Sequence, residues 1–153
     1  MKRDSKLSGV LHVLLHMLGA DAPATSEQLA RMMGTNPVVV RRVMAGLRKK
    51  GFVTSAKGHG GGWTVACDPA SVTLADIYEA VGEPGLFALG HRTEMPGCLV
   101  EQSVNHALDD AFREAEAVFQ AHLKAVTLAA LSRDFNRRLA ERGQTLEDQT
   151  HAV

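Results

Sequence analysis

Apolar residues along the first third of the chain recur every three or four positions, which is the spacing of amphipathic helices. A first helix near the N-terminus is predicted by five such residues: Leu7, Val10, Leu11, Leu14 and Leu18. Two basic residues before this segment give it the look of an export signal. His12 and His16 interrupt the apolar run, however, and the helical spacing fits a core face better. The two histidines are four residues apart, which is a possible spacing for a metal-binding pair. Because no third ligand is evident, the alternative is that they are packing or surface residues.

Two more helices are predicted back to back between residues 25 and 51. Thr25 and Gln28 make a Thr-x-x-Gln capping box at the start of the first helix, and a glycine follows its last apolar residue. Thr35 or Asn36 caps the second helix, with Pro37 near its first position. A short helix, a turn of about four residues and a longer helix together form a helix-turn-helix.

The second of these helices lies in the stretch "TNPVVVRRVMAGLRKKG" and has a one-sided charge. Its predicted core face consists of four apolar residues: Val40, Val43, Met44 and Leu47. Arg41, Arg42 and Lys49 project on the other side, with Val38 between them, and the stretch contains no acidic residue. Because like charges on one helix face repel each other, this pattern indicates an anionic partner. A basic helix without a partner is the alternative.

A glycine-rich hairpin is predicted after this helix. The strands "FVTS" and "WTVA" flank the segment "SAKGHGGG", which carries Lys57 and His59. A hairpin that follows a helix-turn-helix is a wing. The alternative, a phosphate-binding loop, lacks the required Gly-Lys-Ser/Thr sequence and would need a helix where Trp63 begins a strand.

Charge is divided between the two halves of the neutral chain of 153 residues. Residues 1–65 contain ten lysines and arginines and three acidic residues, a net charge of +7, and the remainder carries −7. This asymmetry predicts a nucleic-acid-binding end and a separate assembly or sensing end.

No apolar run reaches the roughly 20 residues of a membrane span. We find no motif of an enzyme active site, and a winged helix that binds a partner protein is the remaining alternative.

The acidic half predicts a long helix suited to self-association. The segment "TLADIYEAVG" begins with a Thr73–Asp76 capping box, and residues 83–98 form a loop rich in glycine and proline. Residues 99–126 lack both and show a coiled-coil-like spacing. We predict dimerisation through eight of them: Val104, Leu108, Ala111, Ala115, Val118, Phe119, His122 and Val126. A helix folded back on its own domain is the alternative. Thr127 caps a further short helix, and residues 143–153 are expected to form a mobile tail.

These motifs resemble the Rrf2 family of bacterial winged-helix regulators over roughly residues 5 to 135. The similarity lies in the helix-turn-helix with its glycine wing, in "VTLADIYEAVGE", and in a cysteine before a long helix that ends in "TLAAL". The resemblance implies a mainly α fold with a small β-hairpin, in which a winged helix-turn-helix domain (1–82), a linker or sensor loop (83–98) and a dimerisation unit (99–142) follow one another. It also implies a homodimer that reads a palindromic operator in double-stranded DNA, and we expect a repressor.

The cysteines depart from the pattern of the family's cluster-binding members. The resemblance implies that those members have three closely spaced cysteines in the loop that corresponds to residues 83–98. Here the loop offers only Cys98, and Cys67 lies 31 residues earlier. This argues against an iron–sulfur cofactor, and the alternative is a cluster completed by His91, His106 or an acid. Cys98 is then either a redox sensor, since a helix N-terminus stabilises a thiolate, or a packing residue. The low cysteine content predicts a cytoplasmic protein.

The expected DNA contacts fall into two groups. The first residues of the recognition helix would meet base edges, while more distant basic residues and the wing would meet phosphates and the minor groove. The candidate residues are Lys2, Arg3, Lys6, Ser26, Thr35, Asn36, Pro37, Val38, Arg41, Arg42, Lys49, Lys57 and His59.

Overall fold

The computed structural model describes residues 5–84, 94–146 and 148. Within these ranges the helices are α1 (Lys6–Leu18), α2 (Ser26–Met32), α3 (Pro37–Lys49), α4 (Leu74–Ala80), α5 (Leu99–Ala125) and α6 (Leu128–Arg142), and the strands are β1 (Val53–Ala56) and β2 (Gly62–Val65). The predicted mainly helical fold with one small hairpin is confirmed. The candidate residues Lys2, Arg3 and His91, much of the predicted linker and part of the tail lie outside the described residues.

A single hydrophobic core holds α1 to α4 and the hairpin together. The four residues predicted for the core face of α3 are all buried, and so are Val10 and Leu14 of α1 and Leu29 of α2. Full burial of a side chain of this size contributes about 1.5–3 kcal/mol. The basic face of α3 is thereby turned away from the core, as its sequence pattern predicted.

Side-chain caps fix where the helices begin. The hydroxyl of Thr25 accepts a hydrogen bond from the Gln28 backbone N–H at 3.2 Å, and the Gln28 side chain accepts from the Thr25 N–H at 2.8 Å. The same reciprocal pair forms between Thr73 and Asp76 at α4. Hydrogen bonds that the Thr73 hydroxyl and then the Thr73 N–H donate to the Asp76 carboxylate lower the pKa of that carboxyl. Both predicted capping boxes are therefore confirmed.

The hairpin is fastened to the loop before α2. Its strands pair in antiparallel register from Val53 opposite Val65 to Ala56 opposite Gly62. On the other side of β2, Ala24 and Trp63 exchange two backbone hydrogen bonds of 2.8 and 3.0 Å. A Cβ at position 62 would lie 2.6 Å from the Ala24 carbonyl oxygen, so this close approach requires a glycine.

The segment between α5 and α6 is tied to the start of α4. Leu74 N–H donates to the Val126 carbonyl and Leu128 N–H donates to the Val72 carbonyl, both at 2.9 Å. Thr73 and Thr127 form a single antiparallel bridge between these hydrogen bonds. The long helix is thereby held at a defined position on the winged-helix core.

The last helix differs from the prediction. We expected a short helix within the dimerisation unit, whereas α6 has 15 residues and packs against α1 of the winged-helix core. Leu128 is completely buried there, and the Phe135 ring lies 6.1 Å from the ring of buried His16. The partner of α6 is set by the reversal of the chain after α5. No helix of the described residues is long and apolar enough to cross a membrane.

Candidate nucleic-acid interface

The solvent-exposed side of α3 carries the charges that the sequence singled out. Arg41, Arg42 and Lys49 are all exposed. Val38 is also exposed, to 62%, although it is a large apolar residue. An apolar side chain among cations on an exposed face fits a partner that presents both phosphates and methyl groups.

The first turn of α3 is fixed by Asn36. Its side-chain oxygen accepts hydrogen bonds from the backbone N–H groups of Val38 at 3.0 Å and Val39 at 3.1 Å. This cap identifies Asn36 rather than Thr35 as the N-cap residue, and Pro37 takes the first helical position as predicted. Because the oxygen is engaged in the cap, the amide NH2 of Asn36 is the group that is left to donate to an outside partner.

Arg41 is held by a neighbouring helix. Its Nη2 atom lies 3.0 Å from Oε1 of Glu27, which belongs to the exposed first turn of α2. Both side chains are 56% exposed, so the pair contributes less than about 1 kcal/mol and breaks at little cost. Sequence reasoning missed this role of Glu27, since nothing in a helical period relates residues of two separate helices.

Ser26 has a structural role that the sequence did not reveal. It is buried, and its hydroxyl accepts a hydrogen bond from the indole Nε1–H of Trp63 at 3.0 Å. This bond links the start of α2 to strand β2 in the hydrophobic core. We therefore correct the expected site by removing Ser26 from it, because a buried hydroxyl that holds the wing in place is not presented to DNA.

Arg48 also joins the recognition helix to the wing. Its guanidinium carbon lies 5.9 Å from the centre of the Trp63 ring, and Nη1 donates to the hydroxyl of Ser55 at 3.3 Å. A cation over an aromatic face contributes about 0.5–1 kcal/mol at an exposed site. Arg48 is thus a positioning residue between α3 and the hairpin.

The tip of the hairpin presents the two predicted polar residues. Lys57 and His59 are both exposed between β1 and β2. Gly58 and Gly60 have φ angles of +92° and +77°, which residues with a Cβ rarely adopt. The tight turn therefore depends on glycine and leaves the backbone of the tip open to close approach. Lys6 lies at the start of α1 and is half-buried.

Helix α4 connects the recognition helix to the long helix. A Cβ on Gly46 would lie only 2.4 Å from the carbonyl oxygen of Ala80, so α3 and α4 approach each other more closely than any other residue at position 46 would allow. Lys50 and Glu79 form an ion pair of 2.5 Å at the end of α3. On its other side, α4 packs against α5, where Tyr78 meets Phe119 edge-on at 5.5 Å.

The predicted dimer stripe divides into two faces of α5. Val104 and Val118 are 52% and 59% exposed, and Leu108, Ala111 and His122 on the same side are exposed as well. Phe119 packs on Tyr78 of its own chain, and Val126 follows the helix and receives the Leu74 hydrogen bond. Phe119 and Val126 therefore also make contacts within the chain, and both are half-buried. Ala115, half-buried, lies at the border of the two faces.

The donor groups of the described chain do not fit an iron–sulfur cluster. Within residues 5–84, 94–146 and 148, no three His, Cys, Asp or Glu residues come together in a way that could hold a metal ion. Cys67 packs against the core, and burial raises the pKa of its thiol, which disfavours the thiolate that clusters require.

Cys98 is the half-buried N-cap residue of α5, and its N–H donates to the Met95 carbonyl at 2.9 Å. His16, one of the predicted histidine pair, is a buried packing residue, and burial and nearby His12 lower its pKa.

Comparison with known proteins agrees with this arrangement. Residues 3–134 match the model of the Rrf2 family, which is described as an iron-dependent transcriptional regulator. The protein YwnA of Bacillus subtilis (strain 168), named as an HTH-type transcriptional regulator, is 33% identical over 126 residues, or 82% of this chain and 92% of that protein.

Two solved structures share the fold. A transcriptional regulator of Lactobacillus plantarum superposes with a TM-score of 0.71 at 22% identity and covers 97% of this chain and 99% of its own. IscR of T. potens has a TM-score of 0.61 at 21% identity, with 95% and 92% covered. Since the family model spans most of the chain, this protein belongs to the Rrf2 family, whose members are DNA-binding transcriptional regulators and not enzymes.

Proposed function

We propose that the protein represses transcription by binding a palindromic operator as a homodimer. The observation that carries this proposal is the exposed face of α3, where three cations surround an exposed valine beside a glycine-rich wing. A dimer that occupies a promoter blocks transcription without any further contact, which is why we favour repression over activation.

In this proposal α3 enters the major groove of each half-site. Its first turn, with Thr35, Asn36, Pro37 and Val38, lies close to base edges, and the amide of Asn36 and the methyl groups of Val38 suit hydrogen bonding and contact with thymine. Arg41 and Arg42 follow one turn later, and arginine makes bidentate hydrogen bonds to guanine. These side chains would determine which sequence is preferred.

Other basic residues would set the position of the protein on the duplex. Lys49 lies at the far end of α3, and Lys6, Lys2 and Arg3 belong to the N-terminal region. Contacts between such residues and phosphates contribute affinity that is independent of sequence and falls with salt. The wing tip, with Lys57 and His59, would lie along the adjacent minor groove, where groove shape is read.

The exposed apolar face of α5 supports dimerisation. Val104, Leu108 and Val118 lie on the side of the helix that the chain's own core does not cover, and Leu99 and Val100 at its start are 75% and 73% exposed. Burial of such residues against another apolar surface would stabilise the protein, and the same helix of a second chain offers a matching surface. We assign this face to the partner subunit.

The linkage through α4 supports a fixed spacing between the two recognition helices. The Gly46–Ala80 approach sets α3 against α4, and the backbone hydrogen bonds around Thr73 and Thr127 set α4 against the end of α5. If two α5 helices pair, each α3 is carried at a defined distance from the two-fold axis. Half-sites one helical turn apart, about 34 Å, or a multiple of that distance would then be selected.

In-vitro selection of bound duplexes by the purified protein tests this proposal directly. We expect an inverted repeat with constant spacing. We also expect the affinity for this repeat to fall steeply as the salt concentration rises. Enrichment of a single unrepeated half-site would remove the dimer from the proposal. Equal binding of all sequences, or binding that resists salt, would instead favour a winged helix that recognises a protein.

The same selection, repeated with and without reductant, tests thiol-based sensing at Cys98. This hypothesis comes from the sequence, and the N-cap position of Cys98 on α5 is compatible with it. A change in operator affinity on oxidation that disappears in Cys98→Ser would support sensing. An unchanged response in Cys98→Ser would leave Cys98 as a packing residue. Reconstitution with iron and sulfide in the same assay tests a cluster with an unusual ligand set, for which the described donors give no support.

A further inference from the structure

A cavity of about 300 Å³ lies beside the helix-turn-helix, between the end of α1, the loop that follows it and α2. The residues around it include His16, Met17, Asp21, Ala24, Gln28 and Met32. None of them belongs to the proposed DNA contacts. An apolar cavity of roughly 150 Å³ holds one benzene ring, so this space admits a substituted ring or a compact molecule of similar size.

The walls of the cavity define the chemistry that it accepts. Methionine, leucine, alanine and proline side chains provide most of the surface, which favours an apolar body. Burial lowers the pKa of the His16 ring, and exposed Asp21 places a carboxylate on the solvent side. A neutral or cationic polar group is compatible with these neighbours, whereas an anionic group would be repelled by Asp21.

The C-terminal segment forms one wall of the cavity. Leu146 packs so close to the end of α1 that a Cβ on Gly19 would lie 2.7 Å from its Cδ2 atom. A larger residue at position 19 would therefore require the Leu146 side chain to shift. Beside Leu146, the Asp148 side chain accepts hydrogen bonds from the Thr145 N–H and hydroxyl.

The cavity shares its walls with the joints of the DNA-binding unit. Ala24 exchanges two backbone hydrogen bonds with Trp63 at the base of the wing. Gln28 closes the capping box of α2, the helix whose Glu27 holds Arg41. A molecule that presses on Ala24 and Gln28 would therefore shift both the wing and the helix that positions Arg41.

We propose that this cavity binds a compact, mainly apolar small molecule with a neutral or cationic polar group, and that its occupation alters operator affinity. The regulatory part rests on the proposed DNA-binding function, while binding in the cavity does not. The two parts are therefore tested by separate measurements.

Binding is tested by NMR of the full chain with 13C-labelled methionine methyl groups, without DNA. Benzamide, benzamidine and benzoate serve as probes, since they share a ring and a size but differ in charge. We expect saturable shifts of the Met17 and Met32 signals with benzamide and benzamidine, and binding of benzoate weaker by roughly fivefold or more. Shifts that are absent, that are equally large at Met44 and Met95, or that are as strong with benzoate would overturn the proposed site.

A filling variant localises the binding. Ala22→Leu adds bulk at the cavity wall, whereas Ala70→Leu makes the same change at an exposed position outside it. We expect Ala22→Leu to abolish the benzamide shifts and Ala70→Leu to retain them, with the thermal midpoints of both variants close to that of the unmodified chain. Leu146→Ala, which opens the C-terminal wall, provides a second variant and should weaken benzamide binding. Retained binding in both cavity variants would refute the location.

Regulation is tested with the selected operator at saturating benzamide. We expect operator affinity to change by about fivefold or more, in the range of ordinary allosteric coupling, and to stay constant in Ala22→Leu. If benzamide saturates the cavity and operator affinity does not change, the regulatory part is refuted. If the protein binds no DNA, the proposed function and the regulatory part fall together, and the NMR result still decides whether the cavity binds its probe.

Discussion

The guanidinium of Arg41 on the recognition helix lies 3.0 Å from the carboxylate of Glu27 on the preceding helix. Glu27 therefore holds Arg41 before any DNA is bound and also places a negative charge next to the proposed DNA-binding face. Because both side chains are more than half exposed, DNA can replace Glu27 as the partner of Arg41 at small cost.

Removing the charge of Glu27 should strengthen binding to random DNA. In Glu27→Gln, Arg41 loses an ionic partner worth about 0.2–1 kcal/mol, so affinity should rise by roughly one and a half to fivefold. Affinity for the operator should rise by a similar factor, because DNA replaces Glu27 as the partner of Arg41 on either duplex, and the ratio of the two affinities should therefore stay constant. Fluorescence anisotropy with both duplexes measures the ratio.

Glu141→Gln provides the matched control for this substitution. Glu141 makes a similar exposed ion pair with Arg137 at 2.7 Å, but on α6. We expect no change in either affinity for this variant. Equal gains in the two variants would mean that overall charge, and not the release of Arg41, is responsible.

Truncation of Arg41 and truncation of Lys49 should change DNA binding in different ways. Arg41→Ala removes a candidate base contact and should cost about 1–3 kcal/mol on the operator, with relaxed preference at one base pair. Lys49→Ala removes a candidate phosphate contact, so binding to all duplexes should weaken alike and the salt slope should decrease by about 1. Titrations on a panel of single-base operator variants at several salt concentrations separate the two, and identical losses on every duplex would contradict our assignment.

Gly46 should not tolerate alanine, although alanine favours helices. Gly46→Ala would gain about 1 kcal/mol of helix propensity, but its Cβ would lie 2.4 Å from the Ala80 carbonyl oxygen. We expect a net loss of about 1–3 kcal/mol in the free energy of unfolding, measured in urea. In Gly9→Ala the new Cβ meets only the flexible Met33 side chain, at 3.3 Å, so that control should be neutral or stabilising. Equal stability of the two variants would argue against the close approach of α3 and α4.

A charge on the exposed face of α5 should separate the proposed dimer. Val104→Glu places a carboxylate in the apolar face, whereas Ala117→Glu makes the same kind of change at an exposed position on another side of the helix. Sedimentation should show monomers for Val104→Glu and dimers for Ala117→Glu. Loss of the second half-site should lower operator affinity roughly 10²-fold or more. A Val104→Glu protein that remains dimeric would exclude this face as the interface.

Stability should decrease in weak acid because of His16. Burial and the neighbouring His12 lower its pKa in the folded protein below the ordinary value of 6.5, so the unfolded chain takes up a proton first as pH falls. The contribution of His16 to the free energy of unfolding is therefore complete above about pH 6.5, and it is lost as the pH falls towards the lower pKa of the folded protein. Urea unfolding at several pH values should show a smaller loss in His16→Gln than in the unmodified chain.

Features that depend on a few neighbouring residues were predicted correctly from the sequence. The capping boxes at Thr25 and Thr73, the start of α3 at Asn36 and Pro37, and the core face of α3 follow from side chains within one or two turns of each other. The basic face of α3 could be predicted for the same reason, because a helical period alone places its charges opposite the core. The strands of the wing were placed to within one residue.

The tertiary structure alone decided which residues of different elements meet. The ion pair between Glu27 and Arg41, the bond between Ser26 and Trp63, and the packing of α6 on α1 join parts of the chain that no local period relates. Such contacts depend on the angle and distance at which whole elements pack, and these are set by the fit of many core side chains together. The sequence therefore determined which helix faces are apolar or basic, and the packed core determined which of those residues are held inside and which remain available to a partner.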